Sequence, residues 1–270
     1  MADSRLAKWY ITAELIALRT ILGLTEAGLA NLLGVSPGTI RNWESGKTVP
    51  LRSVAKDIGQ MAGVEQSRID FLCFVIDNYK VPGLVANLHT RNVRMVEQAE
   101  RTYGYIFKFE PEYVPGPLQL SGYQDEVLPN SKDGRTESRK RRIARGKVLK
   151  DRVGGPRVEL LIGYNALRHL RFMTHWDRQI EALLEASERE NWEIRVIDGL
   201  HRGSRGGFER YIPAGHISAG PGFVYTESLD QSRYLEDEQT LGWYDELRRA
   251  IWEPAKPIRE IFSGGIQLLA

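Results

Sequence analysis

Between residues 25 and 50 the apolar positions form two short helical repeats separated by a glycine. Thr25 suits a helix N-cap, and Glu26, Leu29, Leu32 and Leu33 follow at helical spacing. Gly34 comes where a left-handed C-terminal residue is cheapest for glycine. Ser36 is a second cap, and Pro37 stands at a first helical position, where its missing N–H costs nothing. This second helix is expected to reach Glu44 and stop near Ser45-Gly46, with Ile40 and Trp43 inward. Gly38, Thr39, Arg41 and Asn42 are left for the other face. Upstream, Thr12 is expected to cap a helix through Leu22 that carries Leu15, Ile16, Leu18 and Arg19. Downstream, residues 52–62 and 66–80 read as two more helices divided by Gly63, the latter with Ile69, Leu72, Cys73, Val75 and Ile76 on a broad apolar face. The pattern predicts an all-α, five-helix domain over residues 1–80, with VPGL at 81–84 as a linker.

The remainder, residues 85–270, changes period repeatedly. Helices are expected at 90–102, from Ser121, at 135–152, after Gly163, at 175–188, at 236–252 and at 254–261. Strands are expected at 103–110, 157–163, in WEIRVID, in FERYIP and in GFVYTES. Such alternation predicts an α/β or α+β second domain.

Arg19 and Glu44 are 25 residues apart, too far for a pair within one helix. With them in place, residues 12–50 resemble the XRE, or lambda-repressor-like, helix-turn-helix. The resemblance implies that Arg19 and Glu44 form a structural ion pair locking the first helix against the third. It implies that Ser36, Pro37, Gly38, Thr39 and Asn42 occupy the positions that read DNA, and that Ser45 and Lys47 lie in a phosphate-contacting turn. Asn42 suits adenine, and Thr39 a thymine methyl or a phosphate, whereas Pro37 and Gly38 offer no side-chain hydrogen bond. Arg41 reads equally as a phosphate contact or a solvated charge. One departure matters: the family usually has Gln where this chain has Glu26, and a carboxylate there repels phosphate by about 1 kcal/mol at a wet surface. A weak half-site follows, so binding is expected to need two copies on an inverted repeat of double-stranded DNA.

Charge sharpens this reading. The formal net charge is only +2, but residues 132–157 hold eleven Lys/Arg and three acids, a formal +8 that leaves −6 elsewhere. The first 80 residues carry nine basic and eight acidic side chains, so counterion release alone cannot bind that domain tightly to DNA. The basic run has three readings: a solvated face paired with acids, a second contact with DNA or an acidic partner, or a membrane-surface helix. Arg139, Lys140, Arg142 and Arg145 are the candidates for an auxiliary basic surface. The single cysteine, Cys73, lies in IDFLCFVI and reads as a buried small hydrophobe. A disulfide framework is excluded and a cytoplasmic home expected.

EPEYVPGPLQLSGY, RRIARGKVL, RVELLIGYNALRHL, RQIEALLE, NWEIRVID and FVYTESL occur in an order similar to the C-terminal domain of actinobacterial WhiJ-like XRE regulators, typical of Streptomyces. Tyr164 and Gly146 depart from the Glu and Gln usual there. The resemblance implies a transcription regulator with an antitoxin-like regulatory domain, serving a homodimer and a small acidic partner protein encoded nearby, or a ligand. The alternative is a protein-interaction hub with a degenerate helix-turn-helix. No cofactor, metal or membrane partner is expected. The five histidines lack metal-ligand spacing, and GLHRGSRGG at 199–207 lacks the order of a phosphate-binding loop, reading instead as a surface loop. No enzyme is expected.

Overall fold

The computed structural model describes residues 3–87, 93–127, 132–152, 154–213 and 220–263; for residues 124, 132–139, 141 and 142 it describes the backbone only. Two compact units emerge, one of Met1–Ala99 with His216–Leu241, the other of Glu100–Gly215 with Gly242–Ala270.

The first unit opens with five helices: α1 (Arg5–Ile21), α2 (Glu26–Leu33), α3 (Pro37–Glu44), α4 (Arg52–Met61) and α5 (Gln66–Asn78). The caps follow from the residues. Thr25 Oγ1 accepts from Gly28 N at 3.1 Å, Ser36 Oγ accepts from Thr39 N at 3.1 Å, and Gly34 ends α2 at φ 67°. Each such cap stabilises its helix by about 1 kcal/mol.

Helix α1 corrects the expected start at Thr12. Ser4 is its cap, accepting from Ala7 N, and seven further residues precede Thr12. Ser4 Oγ also donates to Glu236, whose other oxygen takes Leu6 N at 2.9 Å. Thr12 instead donates to the Trp43 carbonyl, tying α1 to α3. Leu6, Tyr10, Ile11, Leu15 and Leu18 form the buried face of α1, against Ile40, Ile58, Phe71 and Leu72 of the same core. Leu32, expected on an apolar face, is 54% exposed; Ala30 is buried beside Leu29.

Leu84, expected in a linker, is buried and begins β1 (Leu84–Asn87). It pairs antiparallel with β7 (Gln231–Leu235), which forms a hairpin with β6 (Phe223–Glu227). The helical module thus shares its unit with strands from far along the chain: Tyr234 packs on Phe71, their rings 6.3 Å apart. A polar seam crosses this unit. Arg68 pairs with the buried Glu14, and Arg94, at the start of α6 (Arg94–Thr102), pairs with Glu65 and Glu97.

In the second unit the strands run in the order β5 (Phe208–Ile212), β2 (Tyr105–Glu110), β3 (Arg157–Gly163), β4 (Trp192–Ile197), β8 (Lys256–Pro257). Strands β2, β3 and β4 are parallel; β5 and β8 pair antiparallel with their neighbours. The crossover from β2 to β3 carries a 3-10 turn (Gly116–Leu118), α7 (Ser121–Val127) and α8 (Lys132–Asp151); that from β3 to β4 carries α9 (Tyr164–Leu170) and α10 (Trp176–Ala186). Helix α11 (Glu238–Trp252) is fastened to β5 by Arg210–Asp245 at 3.0 Å and by Phe208 on Tyr244, before the short α12 (Ile258–Ile261). Ile106 to Phe109 are all buried, so β2 is covered on both faces rather than alternating.

Candidate nucleic-acid interface

The interface is built from one ion pair outward. Arg19 Nε and Nη2 donate to the two oxygens of Glu44 at 2.6 and 2.8 Å, and Nη1 donates to the Leu24 carbonyl at 3.0 Å. One guanidinium therefore joins the end of α1, the turn before α2 and the last residue of α3. The Glu44 carboxylate and the burial of Ile40 and Trp43 fix the rotation of α3.

That rotation decides which residues face out. Ser36, Pro37 and Arg41 are exposed, and Gly38, Thr39 and Asn42 are half-buried. The Ser36 and Thr39 hydroxyls hydrogen-bond each other at 2.9 Å, so both are oriented before any ligand arrives. The Asn42 side chain has no partner among the described residues; only its carbonyl is used, by Thr48 N and Ser45 Oγ. Lys47 is exposed and unpaired among the described residues, beside Gly46 at φ 70°. Free amide, small start and free ammonium thus lie on one side of α3 and in the turn that follows it.

Glu26 stands in the first turn of α2 with Thr25 capping the same helix. Its carboxylate lies 3.9 Å from Arg41 Nε, both side chains well exposed. Arg41 therefore places a positive charge beside the carboxylate that departs from the family pattern.

The auxiliary basic surface is narrower than the sequence suggests. Lys140 is exposed on α8, while the side chains of Arg139 and Arg142 lie outside the described residues. Arg145 is withdrawn: Nε and Nη2 donate to Glu100 at 2.9 and 2.7 Å, and Glu100 is 1% exposed. Lys108 Nζ joins this cluster, 2.9 Å from Glu100, 2.8 Å from Glu209 and 2.9 Å from Tyr211 Oη. Burial raises the Glu100 carboxyl, but Arg145 and Lys108 overcome it and hold the group down at about 2. Arg152 donates to the Tyr103 carbonyl, 2.5 Å away, at the end of α6. Two arginines of the basic run therefore work inside the second unit. Lys108, a lysine between two buried phenylalanines, was the only sign in the sequence of this buried charge.

Elsewhere, Cys73 is buried, which raises its thiol pKa, and Tyr225 donates to Glu227 at 2.7 Å. Burial lowers the pKa of His201 in the 199–207 loop. Its Nδ1 accepts from Gly203 N at 3.2 Å. Among the described residues no single helix is long and apolar enough to cross a membrane.

Residues 15–65 match the helix-turn-helix family model. Residues 93–261 match that of a domain of unknown function, DUF5753. No curated protein and no solved structure matches the chain. The first match, with the geometry of α2 and α3, marks a DNA-binding regulator with an XRE-type helix-turn-helix. The second spans more than half of the sequence, and the chain belongs to the DUF5753 family.

Proposed function

We propose that this protein is a cytoplasmic, sequence-specific transcriptional regulator of the WhiJ-like type. It binds as a homodimer to an inverted repeat whose half-sites lie about one helical turn apart. Residues 1–80 read DNA; residues 85–270 receive a small partner protein or ligand and perform no catalysis. The observation that carries the reading is the outward face of α3, with the free Asn42 amide, held in rotation by Arg19 and Glu44. In this role Asn42 pairs with a base, Ser36 and Thr39 meet base edges or backbone, and Ser45 and Lys47 meet phosphate.

Selection from a random duplex library, followed by anisotropy titrations, tests it. Asn42→Ala is expected to weaken the selected sequence by roughly 1–3 kcal/mol and to relax preference at one base pair. Lys47→Ala is expected to weaken all duplexes alike and to reduce the salt slope by about 1. Unchanged binding in both variants would remove α3 from the groove.

Glu26 favours a second reading, an interaction hub whose helix-turn-helix no longer holds phosphate. Glu26→Gln separates the two. A regulator gains roughly fivefold in affinity, the equivalent of about 1 kcal/mol. A hub selects no sequence before or after the change.

A further inference from the structure

Within the second unit a cleft of about 250 Å³ opens between the start of α7, the end of α9 and the start of α10. Leu120, Leu170, Met173 and Trp176 make its apolar walls. Among the described residues, Arg178 and His175 bring the only ionisable nitrogens to the lining, and no acidic side chain lines it. Arg178 is exposed and has no ion-pair or hydrogen-bond partner among the described residues. Elsewhere in this unit, by contrast, Arg145, Arg152, Arg195, Arg210 and Arg248 are committed to carboxylates or carbonyls.

The walls are fixed without a ligand. The buried Gln179 accepts from Leu120 N and donates to the Leu118 carbonyl, both at 2.9 Å, so one side chain binds α10 to the segment leading into α7. Glu126 ties α7 to the segment after α9, its oxygens taking Thr174 N at 2.9 and 3.1 Å. A preformed, mostly apolar cleft with a few polar groups in its lining is how proteins hold small molecules. Its volume falls below the roughly 300–1,000 Å³ that takes drug-sized ligands, which sets the scale at a single ring.

We propose that this cleft binds a small aromatic carboxylate, its ring against Trp176 and Met173 and its carboxylate on Arg178. The inference deepens the effector-binding part of the proposed function and rests on that reading only for its regulatory meaning.

The test is ligand-observed fluorine NMR on the full chain, with 4-(trifluoromethyl)benzoate as the anionic probe and 4-(trifluoromethyl)benzyl alcohol as the neutral one. The benzoate is expected to bind saturably with a Kd of about 1 mM or tighter. Arg178→Gln should raise that Kd about tenfold and leave the alcohol unaffected. Met173→Trp should fill the cleft and abolish both signals. Leu120→Trp, at a position 38% exposed, does the same where a core change unfolds the unit. Absence of saturable binding, or binding that survives both tryptophan variants, would overturn the proposal. DNA titrations on the same samples keep the readings apart. A chain that binds its selected duplex but neither probe loses the cleft alone. A chain that takes the benzoate but selects no duplex loses the regulator reading alone.

Discussion

Tyr10 lies at the centre of the first unit, 1% exposed, its ring edge-on to Phe71 at 5.4 Å. Its hydroxyl is buried and unpartnered among the described residues. Burial, with Glu14 next in effect, pushes its pKa well above the usual phenol value, so it stays a neutral donor with no acceptor among the described residues. Tyr10→Phe removes that unmet group and keeps the ring, so thermal unfolding should show a gain of about 1 kcal/mol. Arg19 and Glu44 are the opposite case, each guanidinium nitrogen and both carboxylate oxygens being engaged. Their pairing could be anticipated from spacing within a recognised motif. The solitary hydroxyl of Tyr10 could not, because nothing local announces which hydroxyl the fold will strand.

At the scale of elements, α8 shows how much a helix read by charge leaves open. Its charge left three readings open, among them pairing with acids, and Arg145 reaches inward to Glu100 while Lys147 and Ile143 stay exposed. Gly146 explains the approach: a Cβ there would stand 2.5 Å from the Pro117 carbonyl oxygen. Gly146→Ala should lift α8 from the 3-10 turn and destabilise the unit by roughly 1–3 kcal/mol, read as a lowered unfolding midpoint. The same docking has a pH signature. Glu100 sits at about 2 when folded against an ordinary 4.5, so its contribution is complete above about 4.5 and disappears as pH falls toward 2. Denaturant unfolding should therefore weaken over that window, with a shallower slope in Glu100→Gln. Elements with their own caps, such as α2 and α3, or with a strong apolar pattern, such as α10 and β3, were legible in the sequence. Strand β7, with polar Gln231, Ser232 and Arg233, was not, because only pairing with β1 and β6 makes it a strand. The Ser4 start of α1 was missed for a related reason, since one partner of that cap is Glu236, 232 residues away.

For the whole molecule, near-neutrality of the reader sets the logic. Residues 25–50 carry two basic and two acidic side chains, and Arg41 already lies beside Glu26. A half-site with so little charge contributes little through counterion release, so the proposed function assigns selectivity to α3 and affinity to a second copy. The residues proposed to read bases follow from their resemblance to known readers. The cleft beside Trp176 could not, because its walls come from three separated segments joined by Gln179 and Glu126. The most direct test is sedimentation with a labelled duplex from library selection, at two salt concentrations, for wild type and Asn42→Ala. The account predicts two chains on one inverted repeat, a shallow salt dependence, and preference relaxed at one base pair per half-site in Asn42→Ala. One chain per duplex, or equal binding to scrambled DNA, would contradict it.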